Sequence, residues 1–272
     1  MSLVSTEWLN NNHSEVKIID SSWHMPNTNR NAYEEYKKEH IKNAIFFDID
    51  KFSNKKTELP HMLPNEEEWE KIVSNLGITN EDRIIVYDNS DVISSCRCWY
   101  TFIFFGHDPN LISVLNGGLL KWKKENRETT NKVSNHGKKN YKAIKISHLV
   151  KSKEEIDKNI LEKKFQVVDA RSKNRFLGLE KEPRQNVKNG SIQNSYCLPF
   201  GELINPEDKT FIEKNLIKKK FTNIGINNKN NIVFSCGSGI TAAVLGLAYS
   251  IINDKYLPAV YDGSWAEYGK IK

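Results

Sequence analysis

"NIVFSCGS" (residues 231–238) and "RIIVYDNS" (83–90) are one phrase written twice, and the repeat decides how the rest of the chain is read. Each is a short β-branched run that ends in a loop of small and polar residues. Three more pairs follow in the same order. "VKIID" (16–20) returns as "FQVVDAR" (165–171), "EHIKNAIFFDI" (39–49) as "NGSIQNSYCLPF" (189–200), and "ISVLNGGLLKW" (112–122) as "PAVYDGSWAEY" (258–268). Matching Asp20 to Asp169, Ile41 to Ile192, Asp88 to Cys236 and Asn116 to Asp262 gives separations of 149, 151, 148 and 146. Four landmarks in one order at nearly one spacing mark a tandem duplication.

Each copy alternates strand-like runs with amphipathic ones. "EEEWEKIVSNLG" (66–77) predicts a helix closed by Gly77, and "AAVLGLAYSII" (242–252) predicts a buried one starting near Thr241 or Ala242. This alternation predicts an α/β fold: in each copy, a parallel sheet flanked by helices. The stretch "RETTNKVSNHGKKNYKAIK" (127–145) is polar and without hydrophobic period. The expected organisation is therefore a first domain over 1–130, a linker over 131–145 and a second domain over 146–272, with the active site at the domain interface.

The bulk numbers fit two ordinary cores. The chain has 272 residues, 38% hydrophobic and 27% charged, with net charge +6. Lysines are scattered among asparagines and glutamates, which points to a solvated surface rather than nucleic-acid binding. The longest apolar run, "CWYTFIFFG" (98–106), is too short to span a bilayer, so no membrane role is expected. No basic segment followed by an apolar one opens the chain. Four cysteines (96, 98, 197, 236) make neither a disulfide scaffold nor a zinc pattern, and a reduced, cytoplasmic setting is expected.

Only the second copy carries a thiol at the strand end; the first has Asp88 there. In open α/β sheets ligands bind beyond the carboxyl ends of the strands. Gly237 and Gly239 let the backbone aim N–H groups inward, and a following helix adds its positive end. That setting favours thiolate, the nucleophilic form. A buried structural cysteine on a glycine turn is the alternative. A Cys-x5-Arg phosphate loop is excluded, because Ala242 stands where the arginine must be.

"CGSGITA" (236–242), with "DARSKNRFLGLEKEPR" (169–184), "NGSI" (189–192), "YDGSW" (261–265), "FFDID" (46–50), "HML" (61–63) and "VLNGG" (114–118), resembles the rhodanese superfamily of sulfurtransferases over nearly the whole chain. The loop is most similar to that of 3-mercaptopyruvate sulfurtransferases. The departures are Ile240 for the usual valine, Leu177 where arginine is common and Lys181 where proline is usual. The resemblance implies a tandem rhodanese-like fold whose first copy lacks the nucleophile. It implies sulfur transfer from 3-mercaptopyruvate through a Cys236 persulfide to a thiol such as thioredoxin, or to cyanide, with no metal and no organic cofactor.

The same resemblance assigns substrate binding to Arg175 and Arg184, scarce cations in a chain with seven arginines, and to the loop residues Gly237, Gly239, Ile240 and Thr241. Arginine's planar fork suits a carboxylate better than lysine does. The alternative is a surface pair bonded to Glu180 or Glu182. Ser238 either donates its hydroxyl to the substrate or joins a relay with His61 and Asp50. Asp169 and Arg171 read as a structural ion pair, Cys96 and Cys98 as packing residues with a redox switch as alternative, and Cys197 as core. His24, His40, His107, His136 and His148 have no partner at metal-ligand spacing. Two further readings stay open: a thiosulfate:cyanide sulfurtransferase with the same nucleophile, and a rhodanese-fold persulfide carrier or binding module without turnover.

Overall fold

The computed structural model describes residues 2–134, 136–227, 231–253 and 256–271; Asn135, within the expected linker, lies outside them. The chain forms two compact units. One comprises Met1–Asn54, Pro64–Ile146 and Pro206–Phe211, the other Lys55–Leu63, Ser147–Asn205 and Ile212–Lys272.

The first unit holds strands β1 (Leu3–Val4), β2 (Lys17–Asp20), β3 (His40–Ile41), β4 (Ala44–Phe46), β5 (Ile84–Tyr87), β6 (Ile112–Leu115) and β7 (Thr129–Thr130). Its helices are α1 (Thr6–Asn11), α2 (Ala32–Lys38), α3 (Glu66–Asn75), α4 (Ser95–Phe104) and α5 (Gly118–Lys124). The second holds β8 (Val150–Lys151), β9 (Gln166–Asp169), β10 (Tyr196–Cys197), β11 (Ile232–Ser235) and β12 (Ala259–Tyr261). Its helices are α6 (Lys153–Glu162), α7 (Lys173–Phe176), α8 (Lys214–Asn223), α9 (Ile240–Ile252) and α10 (Ser264–Tyr268).

The duplication is visible strand by strand. The first sheet runs β1-β6-β5-β2-β4 and the second β8-β12-β11-β9-β10, both wholly parallel. Registers agree: Asp20 faces Tyr87 in one sheet and Asp169 faces Ser235 in the other. Central strands are apolar on both sides, as a sheet covered on both faces requires: all of Ile84–Tyr87 and all of Ile232–Ser235 are buried. Helix starts are fixed locally. Asn65 with Glu68, and Ser152 with Glu155, close capping boxes on α3 and α6. Helix α9 is apolar nearly all round and correspondingly buried, and every residue of α4, Arg97 included, is buried.

Several sequence expectations are refined. Helix α9 begins at Ile240, one residue before the earlier of its two expected starts. Cys197 is half-buried rather than core, because β10 is an edge strand with β9 on one side only. The polar stretch 131–145 packs along the first unit. Tyr141 is buried, its N–H donates to Ser74 Oγ (3.1 Å), and Ile144 N–H donates to the Phe105 carbonyl (3.0 Å). No helix among the described residues is long and apolar enough to cross a membrane.

Each unit also carries a short strap from the other half of the sequence. In the second unit, Leu63 N–H donates to Asp262 Oδ2 (2.8 Å). In the first, Phe211 N–H donates to Asn116 Oδ1 (2.9 Å). Asn116 and Asp262 are duplicated landmarks, so the straps are equivalent parts. His61 and Lys209 occupy the same place in them, and both sit in the left-handed region, with φ 61° and 59°.

Candidate active site

Strand β11 ends at Ser235, which faces Asp169, and the chain then turns sharply. Cys236 is the first residue beyond that edge and is 2% exposed. Its backbone is pinned on both sides: the N–H donates to Ser264 Oγ (3.2 Å), and the carbonyl accepts from Trp265 N–H (2.9 Å). The sulfur is cradled from the loop. Gly239 N–H lies 3.1 Å and Ser238 N–H 3.5 Å from Sγ. Gly239 reaches this position with φ 85°, a conformation that costs glycine little and other residues more. Ile240, buried, and Thr241, half-buried, form the first turn of α9, whose N-terminus completes a cradle suited to negative charge on sulfur.

Ser238 gathers two of the expected partners. Arg184 Nη2 donates to its Oγ (3.0 Å), and His61 Nδ1 lies within hydrogen-bond distance of the same oxygen, at 2.9 Å. His61 comes from the strap, held in left-handed backbone and 7% exposed. Asp50 lies in the first unit, where its Oδ2 accepts from Trp23 Nε1 (2.9 Å).

Gly237 sets the distance between loop and arginines. A Cβ built there would stand 3.1 Å from Arg184 Nη1 and 3.4 Å from Arg175 Nη2, so both guanidinium groups close over the glycine. Their electrostatics differ. Arg175 is tied to Glu182, Nε to Oε1 at 3.1 Å and Nη2 to Oε2 at 2.7 Å. Arg184 has no ion pair among the described residues, and burial draws its guanidinium below the usual range while Cys236 nearby works the other way.

Beneath them lies a fixed charge network. Arg171 grips Asp169 (Nη2 to Oδ2, 2.8 Å), reaches Glu182 (Nη1 to Oε1, 2.8 Å), and lies over the Trp265 ring at 4.6 Å. Burial weighs against the Arg171 charge, but the Asp169 bonds and the two carboxylates outweigh it and raise its affinity for the proton. Asp169–Arg171 is thus the ion pair expected from the sequence. Glu182, by contrast, was expected only as a partner of surface arginines; its side chain is 1% exposed.

The other cysteines stand apart from this chemistry. Cys96 and Cys98 are buried in α4, where loss of solvent pushes both thiols far up. Burial also pushes Cys197 up, to about 12, and its Sγ lies 3.7 Å from the Arg171 carbonyl.

Known proteins place this arrangement. A rhodanese-like domain model matches residues 5–125 and again 152–270. Thiosulfate/3-mercaptopyruvate sulfurtransferase 1, mitochondrial, of Arabidopsis thaliana is 36% identical over 98% of this chain and 75% of its own length. Thiosulfate sulfurtransferase of Rattus norvegicus is 34% identical over 98% of this chain and 91% of its own. The crystal structure of a 3-mercaptopyruvate sulfotransferase from Escherichia coli superposes with a TM-score of 0.87 at 29% identity, covering 97% of this chain and 99% of that one. With two matched domains, a shared fold and relatives above 30% identity along nearly its full length, the chain belongs to the rhodanese family of sulfurtransferases.

Proposed function

We propose that this sulfurtransferase takes its sulfur from 3-mercaptopyruvate and carries it as a Cys236 persulfide. One observation bears most of the weight: two arginines converge on Gly237, in a loop whose own side chains bring no cation. Arg175 and Arg184 would hold its carboxylate and keto oxygen.

The chemistry runs in two halves. Cys236 thiolate attacks the substrate sulfur; an S–S bond forms, the C–S bond breaks, and the electron pair leaves with the enolate of pyruvate. The arginines offset the charge that develops on oxygen, and the Ser238–His61 side supplies the proton that converts enolate to pyruvate. Ser238 and Gly239 N–H groups, already directed at Sγ, hold the persulfide. An acceptor thiolate, such as that of a thioredoxin, or cyanide then takes the outer sulfur and restores Cys236, giving ping-pong kinetics.

Thiosulfate is the second donor to consider, because relatives of similar identity carry that name. Intact mass separates the readings. Reduced protein mixed with 3-mercaptopyruvate and desalted is expected to gain one sulfur, lost again on adding cyanide and absent in Cys236→Ser. A gain from thiosulfate alone moves the donor assignment. A gain from neither leaves a rhodanese fold without turnover.

A further inference from the structure

Resting on the donor reading above, we propose that Glu182 is a positioning residue that fixes the working face of Arg175. The geometry is specific. Glu182 holds the Nε–Nη2 edge of the guanidinium with both oxygens, at 3.1 and 2.7 Å. An arginine gripped on that edge can present only its Nη1–Nη2 end to a ligand. That end is the one at Gly237, with Nη2 3.4 Å from a Cβ built there. The grip is itself immobile. Glu182 Oε1 also accepts from Arg171 (2.8 Å), and its backbone N–H donates to Asn189 Oδ1 (3.1 Å). Arg171 in turn is locked on Asp169, the Gly190 carbonyl and the Trp265 ring.

The same arrangement divides the labour of the two arginines. Asp169, Arg171, Glu182 and Arg175 sum to no net charge, so Arg175 contributes orientation with its charge already matched. Arg184 adds a cation that no ion pair matches among the described residues, and it touches Ser238. Recognition of a planar carboxylate needs both: a donor fork at a fixed angle and an excess positive charge. Exposure accords with this division, since the Arg175 side chain is 17% accessible while the Glu182 side chain behind it is sealed at 1%.

A double-mutant cycle tests the proposal, using Glu182→Gln, Arg175→Gln and the pair. The readouts are the saturation curve of pyruvate release and the second-order rate of Cys236 persulfide formation, by intact mass. Glu182→Gln keeps size and one carbonyl oxygen but sets an NH2 against Arg175. It is expected to raise KM for 3-mercaptopyruvate about 10-fold or more, with kcat within about threefold, the cost of losing one charge-assisted hold. In the Arg175→Gln background the same change is expected to cost under about twofold, because its route to the substrate is already cut. Equal losses in both backgrounds, or a fall in kcat at unchanged KM, would overturn the proposal in favour of a purely structural role through Arg171. If Glu182→Gln fails to fold, Glu182→Asp retains the charge, shortens the reach, and enters the same cycle. Should the wild type accept sulfur from thiosulfate alone, the donor reading falls, and the cycle run on thiosulfate still decides the role of Glu182.

Discussion

The two units share a fold and differ in what fills the cradle at the end of the central strand. In the second, Cys236 places a sulfur within reach of the Ser238 and Gly239 N–H groups. In the first, Asp88 places its own carboxylate in the corresponding position. Oδ1 accepts from Ser90 N–H (2.8 Å) and Oδ2 from Ser95 N–H (2.9 Å). The frame around both is the same. Leu119 N–H donates to the Asp88 carbonyl just as Trp265 N–H does to that of Cys236, each at 2.9 Å. The loop to the next helix is three residues in the second unit (237–239) and six in the first (89–94). A backbone nest stabilises negative charge whichever group supplies it. The first unit answers that demand with a side chain, whose burial pushes the Asp88 carboxyl up against the Ser95 and Ser90 bonds; the second leaves it to a thiolate that can react. The neighbouring parts diverge in step: Lys209 where the second unit has His61, and Ser22 where it has Arg171.

The sharpest way to break the comparison is to make the second unit copy the first. Cys236→Asp is expected to fold, with the carboxylate accepting the same N–H groups, and to lose at least about 10⁴-fold in turnover, since no nucleophilic sulfur remains. Measurable sulfur transfer by that variant would disprove the nucleophile. The converse, Asp88→Cys on a Cys236→Ser background, is expected to gain no sulfur from 3-mercaptopyruvate by intact mass, because the first unit has Ser90 without an equivalent of the Arg184–Ser238–His61 set. A smaller effect is expected of Gly237→Ala. Its Cβ, 3.1 Å from Arg184 Nη1 and 3.4 Å from Arg175 Nη2, forces the guanidinium groups outward. A rise in KM of about 10-fold with little change in melting temperature is the expected result, because the displaced atoms belong to side chains rather than backbone.

How far the sequence discloses this depends on the range of each interaction. The duplication, the strand-end cysteine and its glycines are local patterns, and they survive into the structure with their order and register. The pairing of Asp169 with Arg171 is legible for the same reason, two residues apart at a strand end. The strap is not. That His61 belongs with Cys236 follows from Lys55–Leu63 packing in the second unit, which no periodicity announces; only resemblance to a family brought His61 forward. Glu182 was visible as an acidic neighbour of two arginines, but whether such a carboxylate is a solvated surface partner or a buried hold is decided by the chain folding over it. Cys197 reads as core yet is half-buried, because an apolar neighbour, Leu198, does not reveal that β10 sits at a sheet edge.

The smallest and most discriminating difference concerns a pair of equivalent aspartates. Asp169 is clamped by Arg171, whereas Asp20 accepts from Ser22 N–H (3.0 Å) and Ser22 Oγ (2.6 Å) in a buried site. Burial raises Asp20 to about 6, against the hydrogen bonds from Ser22 and Tyr87, with nearby Asp88 adding to the rise. A native carboxyl that holds its proton more tightly than the unfolded chain gives stability that is full below the unfolded value near 4 and is lost as pH rises through 6. Removing the charge should therefore stabilise the protein, and do so in full only above that window. Asp20→Asn, which keeps the oxygen facing Ser22, is expected to gain about 3 kcal/mol at pH 8 and well under about 1 at pH 4. The same substitution at Asp169 is expected to have the opposite sign, a loss of about 3 kcal/mol or more at pH 8, because it leaves the buried Arg171 short of one of its two carboxylates. Denaturant unfolding of both variants at the two pH values reads the signs directly. Equal signs, or a gain in Asp20→Asn that does not shrink in acid, would mean that the first unit's buried aspartate is compensated as fully as the second's, and that the two ends differ in the cradle alone.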